Sequence, residues 1–185
     1  MAQAAAPVVR DAQAADLTSL MAFNMQIAWA TESRRLDPDR VRAGVERILR
    51  HPRGTPACKG FYVVAELDGG VRGSCLVTFE WSDWQARDYW WIQSVFVEKA
   101  YRGQGIFRRI YERVVELAGE AGAAPELRLY VEYDNEVAKS TYSKLGMSQS
   151  HYLMFEEDLT KRWSKAGVAP PAAAPAAAQD PSAEA

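Results

Sequence analysis

The chain is poor in the residues that build metal centres and disulfide frameworks. It has two cysteines and two histidines among 185 residues, and Cys58 and Cys75 stand apart without a CxxC pairing. This scarcity predicts no metal site and reduced, packed thiols. The first residues lack a cationic start followed by a long apolar run, and no stretch has the apolar length needed to span a bilayer. We therefore expect a cytoplasmic protein without a membrane partner.

The chain also lacks a surplus of either charge. Its 22 basic and 24 acidic residues give a formal net charge of −2, which argues against a dedicated nucleic-acid binder. Arginines cluster in residues 102–113, but Glu112 interrupts them on the same predicted helix. No nucleic-acid partner is expected. Hydrophobic residues make up 48% of the chain, so it can bury a core.

The length of 185 residues suits one domain of ordinary size. The two ends of the chain differ in composition from the middle. Residues 1–6 are predicted to be a flexible N-terminus, and residues 7–163 to form the folded domain. From residue 164 onward the sequence is mostly alanine, proline and small polar residues. Such a segment cannot offset the entropy of ordering by burying apolar surface. Residues 164–185 are therefore predicted to be a disordered tail.

Hydrophobic periodicity predicts alternating strands and helices. A short strand precedes two helices, and Asp37 followed by Pro38 marks the start of the second helix. Three strand-like runs follow; "DGG" joins the first two as a hairpin, and "YWWIQSVFV" is apolar on both faces like a central strand. The rest predicts a helix, a strand, a helix and a last strand in "QSHYLMFEEDL". The order β-α-α-β-β-β-α-β-α-β indicates an α/β fold with a single mixed, mostly antiparallel twisted sheet flanked by helices.

The segment "YRGQGI", residues 101–106, connects the third of these strands to a helix. Gly103 and Gly105 lack Cβ atoms, so the backbone can approach a ligand closely and adopt positive φ. A helix N-terminus presents unpaired N–H groups and the positive end of a dipole, and Arg102 adds a charge-assisted donor. These features are typical of a phosphate or diphosphate cradle, with an ordinary glycine turn as the alternative. Arg108 replaces the third glycine of the dinucleotide fingerprint, and the Gly-Lys-Ser/Thr ending of a Walker loop is absent.

The segment resembles the acetyl-CoA-binding segment of the GNAT superfamily of N-acetyltransferases, whose signature is Gln/Arg-x-x-Gly-x-Gly/Ala. Arg102 and Gly105 match the first two anchors, whereas Phe107 stands where a small residue is usual. A second segment, "DNEVAKSTYSKLGM", resembles the family's Asn-x-x-Ala-x-x-x-Tyr-x-x-x-Gly-Phe element. Its matching residues are Asn135, Ala138, Tyr142 and Gly146, with Met147 in place of the usual Phe. The order of elements along residues 7–158 also matches the family.

The resemblance implies an N-acetyltransferase that passes the acetyl group of acetyl-CoA, its co-substrate, directly to a primary amine of a small molecule or a protein. Pantetheine would pair with the exposed backbone of a splayed strand, and the diphosphate would lie on the turn that follows. The implied cofactor-binding residues are Val95, Phe96, Val97, Arg102, Gly103, Gln104, Gly105, Ile106, Phe107 and Asn135. The bulk of Phe107 implies either a slightly larger distance to the diphosphate or a ring that points away from it. Dimers are common in the family, so a homodimer is a further expectation.

Tyr142 aligns with the family's general acid. A phenol can donate a proton to the departing thiolate and stays neutral near pH 7; the alternative is a core tyrosine on one helix face. The base is less well defined, because Gln93 stands where some polyamine-acetylating relatives carry an acidic residue. Deprotonation would run either through ordered water or through a carboxylate elsewhere. Glu80 and Glu32 are the candidate carboxylates, with solvated charges or ion-pair partners as the alternative for both.

A second function of a different class stays open from the sequence. Phe107 and the missing carboxylate at Gln93 suit an acetyl-CoA-binding sensor or partner module without turnover. The aromatic cluster in residues 81–91 has two interpretations as well. We expect Trp90 to pack in the core, and Trp84 to lie in a turn, where it could form a pocket wall for a cationic amine.

Overall fold

The computed structural model describes residues 6–169. The predicted tail from residue 170 onward, and residues 1–5 of the predicted N-terminus, lie outside the described residues. The chain divides into two compact units, Met1–Glu136 and Val137–Ala185. The first unit contains the whole sheet.

The sheet of the first unit has five strands in the order β1-β2-β3-β4-β5. The strands are β1 (Val8–Asp11), β2 (Gly60–Leu67), β3 (Gly70–Ser82), β4 (Arg87–Val97) and β5 (Leu127–Leu129). The first four pair antiparallel, and β5 pairs parallel to β4. Asp68 and Gly69 turn the predicted hairpin between β2 and β3 with φ of 51° and 70°, as a two-residue primed turn requires. The predicted mixed, mostly antiparallel sheet is confirmed.

Five α-helices accompany the strands in the described part of the chain. They are α1 (Leu17–Glu32), α2 (Pro38–Arg50), α3 (Ile106–Glu120), α4 (Glu136–Lys144) and α5 (Leu159–Ala166). The predicted cap of α2 is confirmed, because the Asp37 carboxylate accepts from the backbone N–H of Asp39 at 2.9 Å and Pro38 occupies the first turn. Among residues 6–169 no helix has the length and apolar character that a membrane crossing needs.

The two faces of the sheet are covered by different helices. On one face α3 packs its buried side chains Ile110, Val114 and Leu117 against the strands. On the other face α1 and α2 pack through Leu20 and Val45. Trp90 lies in the α3-side core against Phe61 and Phe79, as expected. Cys75 is buried in the same core, and burial raises the pKa of its thiol to about 12, so it stays protonated.

Strand β4 contains a bulge that changes which face its side chains occupy. Ser74 of β3 pairs with Phe96 and Leu76 pairs with Gln93, so Ser94 and Val95 together oppose Cys75. Ser94 has a φ of 47°, which is uncommon for a residue with a Cβ; this conformation is that of the first position of a G1 bulge, where glycine is usual. Before the bulge Ile92 faces the α3-side core; after it Val95 and Val97 do so, and Phe96 stacks on Phe23 of α1 at 4.5 Å.

Beyond the bulge, β4 loses its neighbour on one side. Strand β5 pairs with β4 only from Trp90 to Ile92, through residues Leu127–Leu129. The sequence predicts a strand across residues 126–133, but the segment from Tyr130 onward leaves the ladder, and Tyr130 and Tyr133 are exposed. A bulge bends and twists the strand that carries it, so a straight parallel partner cannot follow it. Within the described sheet, the residues from Gln93 to Val97 therefore have no strand partner on the β5 side and form an open edge of the ladder.

The last predicted strand, in residues 149–159, is not formed. Tyr152, Leu153 and Phe155 are exposed, and the described chain contains no strand that pairs with them. Alternating apolar residues do not make a strand unless another strand satisfies their backbone groups. The end of the segment instead begins α5, because the Asp158 side chain accepts from the Thr160 N–H at 3.0 Å. Helix α5 continues to Ala166, past the predicted end of the domain at residue 163.

The start of α3 lies directly on β3, where only glycine leaves enough room. A Cβ built on Gly73 would lie 2.9 Å from Ile106 Cγ2 and 3.1 Å from the Phe96 carbonyl oxygen. Ile106 is the first residue of α3 and is 2% exposed. The absence of a side chain at Gly73 therefore sets how closely the first turn of α3 approaches the sheet.

We predict that Gly73→Ala lowers the free energy of unfolding by about 1–3 kcal/mol, because the added methyl overpacks against Ile106 and a backbone carbonyl. The matched control is Gly119→Ala in α3, where a Cβ meets nothing within 4 Å. The control should raise the stability by about 0.5–1 kcal/mol, since alanine favours a helix interior. Urea unfolding measures both changes. Equal stability of the two variants would contradict the close approach of α3 to β3.

Candidate active site

The turn from β4 into α3 has the backbone geometry of an anion cradle. Gly103 and Gly105 have φ of 77° and 76°, a conformation that glycine adopts at little cost. A Cβ at either position would meet nothing within 4 Å, so the space above the turn is open. Gly105 is the N-cap of α3 and has no side-chain oxygen to accept from the first-turn N–H groups. A helix start without a side-chain cap presents the positive end of the helix dipole, which suits an anion.

Arginines surround this turn without carboxylate partners among residues 6–169. Arg108 and Arg109 are exposed in the first turn of α3, while Arg113 farther along pairs with Glu116 at 3.0 Å. The Arg102 guanidinium donates from Nε to the Val97 carbonyl at 2.9 Å. This bond holds Arg102 at the end of β4 and leaves its terminal nitrogens for another acceptor.

The other predicted cofactor-binding residues near the turn differ in burial: Ile106 and Phe96 are buried, whereas Gln104 is exposed. Ile106 is buried on Gly73, and Phe96 is buried on Phe23, so only their backbone groups can face a ligand at the turn or the open edge. The Phe107 ring lies 6.4 Å from the Tyr111 ring, one turn farther along α3. The Gln104 side chain donates to the Ala100 carbonyl at 3.3 Å.

A network behind the turn fixes its position. The Arg72 side chain of β3 pairs with Glu98 at 3.3 Å, and its guanidinium carbon lies 4.8 Å from the Tyr101 ring centre. The Glu98 N–H donates to the Arg72 carbonyl at 2.9 Å. The 3₁₀ turn Lys99–Tyr101 is thereby tied to the β2–β3 hairpin. These contacts hold the glycines at the end of β4.

A cleft of about 420 Å³ lies between α1, α2 and the sheet on the face opposite α3. Its volume is in the range of small-molecule sites. The walls are mainly aliphatic, and the polar lining residues are Asn24, Glu32, Arg34, Tyr62 and Ser94. Ser94 belongs to the bulge of β4, so the cleft reaches the strand where its open edge begins.

Asn24 and Tyr62, two polar residues of the cleft lining, are joined by a hydrogen bond. The Asn24 side-chain amide donates to the Tyr62 hydroxyl at 3.1 Å. Burial raises the pKa of Tyr62 above its ordinary value despite this bond. The phenol is therefore neutral at neutral pH and retains its own proton for donation.

The two predicted base candidates lie in different surroundings. Glu32, the last residue of α1, lines the cleft. Glu80 does not line it; its carboxylate accepts from the Trp91 indole N–H and pairs with Arg128 at 3.5 Å. The Arg128 guanidinium carbon lies 3.5 Å from the Tyr89 ring centre. Glu80 thus belongs to an aromatic and ionic cluster at the far end of the sheet from the turn.

Tyr142 and Asn135 lie at either end of α4. The Asn135 N–H donates to the Glu132 carbonyl at 3.1 Å directly before the helix. Tyr142 is half-buried in the second unit, and its carbonyl accepts from the Met147 N–H at 3.1 Å while Gly146 donates to Ser143 at 3.0 Å. With φ of 91° at Gly146, these two bonds form the Schellman motif that ends a helix. Gly146 is confirmed as the stop signal.

The sequence interpretation missed the polar lining of the cleft and the bulge. Asn24 fits the periodicity of a helix and Tyr62 that of a strand, so neither stands out in the sequence. Arg34 lies in an ordinary charged stretch. The bulge did leave a signal, because the core-facing residues Trp90, Ile92, Val95 and Val97 are spaced by two, three and two positions. An unbroken strand keeps a period of two. Trp84, the suggested pocket wall, is 89% exposed in the β3–β4 turn and does not line the cleft.

Comparisons with known proteins agree with this geometry. The family described as "Acetyltransferase (GNAT) family" matches residues 20–147, which include most of α1, all of α2, strands β2 to β5 and the turn before α3. The thialysine N-epsilon-acetyltransferase of Bos taurus is 31% identical over 150 residues, which span 75% of this chain and 82% of the relative. Both matches cover most of the chain.

Solved structures show the same fold. A possible acetyltransferase from Clostridium difficile 630 is 36% identical with a TM-score of 0.72, covering 82% of this chain and 97% of that one. An aminoglycoside N-acetyltransferase in complex with CoA has a TM-score of 0.70 at 14% identity, covering 85% of this chain and 98% of that one. The second likeness shows the fold alone, and its CoA belongs to that protein. The family match, the bovine relative and the arrangement of open strand, glycine turn and cleft together make this chain an acetyltransferase of the GNAT family.

Proposed function

We propose that the protein transfers the acetyl group of acetyl-CoA to a primary amine of a small molecule bound in the α1–α2 cleft. The observation that carries the proposal is the continuity of three features at the end of β4. An open strand edge from Gln93 to Val97 leads into the glycine-capped start of α3, and Ser94 of that edge lines the cleft. A co-substrate along the edge and an acceptor in the cleft would therefore meet at the bulge.

The residues at this edge fit the co-substrate. Pantetheine is an extended chain with amides, so it can pair with the backbone of Val95 and Val97 as an added strand would. The backbone of residues 103–107 would hold the diphosphate, and Arg102 would supply its positive charge. Because Arg102 already donates to the Val97 carbonyl, its guanidinium would link the two parts of the site.

The reaction needs one bond made, one bond broken and two proton movements. The neutral amine nitrogen bonds to the acetyl carbon of acetyl-CoA, which supplies the activated thioester, and the carbon–sulfur bond breaks. Tyr142 is proposed to protonate the leaving thiolate, as its place in the family's motif suggests. The nitrogen loses its extra proton to water.

Of the two candidate carboxylates, Glu32 is proposed to receive that proton through water, because Glu32 lines the cleft. Glu80 is engaged by Trp91 and Arg128, and protonating it would weaken that ion pair. We therefore assign Glu80 a supporting role in the aromatic cluster. The relative named as an N-epsilon-acetyltransferase supports a primary amine as acceptor and favours an enzyme over a binding module without turnover.

The proposed function is tested by release of the CoA thiol from acetyl-CoA across a panel of primary amines. Turnover with at least one small amine is expected, with the acetylated amine identified by mass spectrometry. Tight acetyl-CoA binding without thiol release on any amine would instead indicate a binding module.

Replacing Arg102 tests the anion cradle. Arg102→Ala removes a charged donor, and such bonds contribute about 1.5–3 kcal/mol each, so the Kd for acetyl-CoA should rise about 10–100-fold. The control Arg47→Ala removes an exposed arginine of α2 and should leave the Kd unchanged. Isothermal titration calorimetry measures both. An unchanged Kd for Arg102→Ala would remove this residue from the site.

Replacing Tyr142 tests the general acid. Tyr142→Phe keeps the ring but removes the proton, so kcat should fall about 10²–10⁴-fold while the Kd for acetyl-CoA changes little. Tyr152→Phe is the control, because Tyr152 is 75% exposed in the same unit, and its kcat should equal that of the parent. Full turnover by Tyr142→Phe would exclude Tyr142 as the acid and favour the packing role.

A further inference from the structure

The cleft carries two opposite charges that neither neutralise each other nor pair elsewhere. Glu32 and Arg34 both line it, and within residues 6–169 neither side chain has an ion-pair partner, although most other cleft residues are aliphatic. The neighbouring Arg35 does not line the cleft and lies over the Trp29 ring at 5.6 Å. The cleft therefore has mainly aliphatic walls and carries, at one end, an exposed carboxylate and an exposed guanidinium without ion-pair partners among residues 6–169.

The backbone at the end of α1 places Arg34 beside the cleft, next to Glu32. Helix α1 ends at Glu32, and Ser33 follows with φ of 50°. The Arg34 N–H then donates to the Ala28 carbonyl at 3.1 Å, which folds the chain back against the last turn of α1. The backbone of Arg34 is thus held beside the cleft by the helix terminus, and its exposed side chain extends from that position.

We propose that the acceptor is an amino acid, a small molecule that carries a carboxylate as well as its amines, and that Arg34 binds the carboxylate. This inference rests on the proposed function of the same cleft. A guanidinium offers two parallel donors that match a carboxylate. Glu32 attracts ammonium groups of the same molecule, and its negative charge discourages acceptors that carry only a carboxylate. The aliphatic walls suit the carbon chain that joins the charged ends.

The fit in length supports a small acceptor. The lining residues of α1 run from Asn24 to Glu32, a span of about 12 Å at the rise of an α-helix. An amino acid with a flexible side chain can be accommodated within that length, with its carboxylate at Arg34 and an amine directed toward Ser94 in the β4 bulge. The cleft volume of about 420 Å³ also matches a small molecule better than a protein surface.

The test compares amino acids with the amines that remain when their carboxylate is removed. The pairs are L-lysine with 1,5-diaminopentane and L-leucine with 3-methylbutylamine, each assayed for kcat/KM with acetyl-CoA. We expect the favoured amino acid to exceed its decarboxylated counterpart by about 10–100-fold, as expected for a charge-assisted contact. Arg34→Gln should remove that preference, whereas Arg35→Gln, with similar chemistry outside the cleft, should retain it. Thermal unfolding of both variants checks that they fold.

The outcomes separate this inference from the proposed function. If the amines are acetylated as well as the amino acids, or if Arg34→Gln retains the preference, the amino-acid inference is overturned and the acetyltransferase function stands. Better acetylation of a peptide amine than of any free amino acid would overturn it too. If no acceptor releases the CoA thiol, the proposed function fails, and calorimetric binding of L-lysine and L-leucine decides the inference: binding that Arg34→Gln abolishes supports it, and no binding overturns it.

Discussion

The bulge at Ser94 and Val95 is the constraint on which the rest of the site depends. Two residues of β4 lie opposite one residue of β3, and the first of them, Ser94, has a positive φ; such strain persists only where the surroundings hold it. Phe96 stacked on Phe23 and the valines packed on the α3-side core provide that support. The result is a strand that changes face, separates from β5 and exposes its edge at one place.

The other parts of the site follow from that change. Gly73 lets the first turn of α3 settle on β3, so the helix N-terminus lies directly beyond the open edge. Arg72 and Glu98 hold the connecting turn, and Gly105 leaves the helix start without a side-chain cap. On the opposite face Ser94 enters the cleft between α1 and α2. One irregularity thus connects the glycine turn, the open strand edge and the α1–α2 cleft, to which we assign the diphosphate, the pantetheine and the acceptor.

The sequence predicted the parts of this arrangement that depend on local chemistry. Asp37 and Pro38 at α2, Gly146 at the end of α4 and the Asp68–Gly69 turn all lie as expected, because caps and turns depend on a few neighbouring residues. The sheet class and the family also followed from the pattern and from two motifs. The final strand did not form, because a strand needs a partner that periodicity cannot supply. The cleft lining was also missed, since only tertiary packing brings Arg34 and Tyr62 to the walls of one cleft.

The central claim is that acetyl-CoA binds along the open end of β4 and the first turn of α3. Hydrogen–deuterium exchange of the full chain, with and without acetyl-CoA, tests it most directly. We expect acetyl-CoA to slow exchange strongly in the peptide covering residues 93–107, because N–H groups that do not pair with β3 would then bond the ligand, while the β3–β4 turn at residues 83–86 stays unchanged. Exchange in residues 93–107 that acetyl-CoA does not alter, with protection elsewhere in the chain, would contradict it.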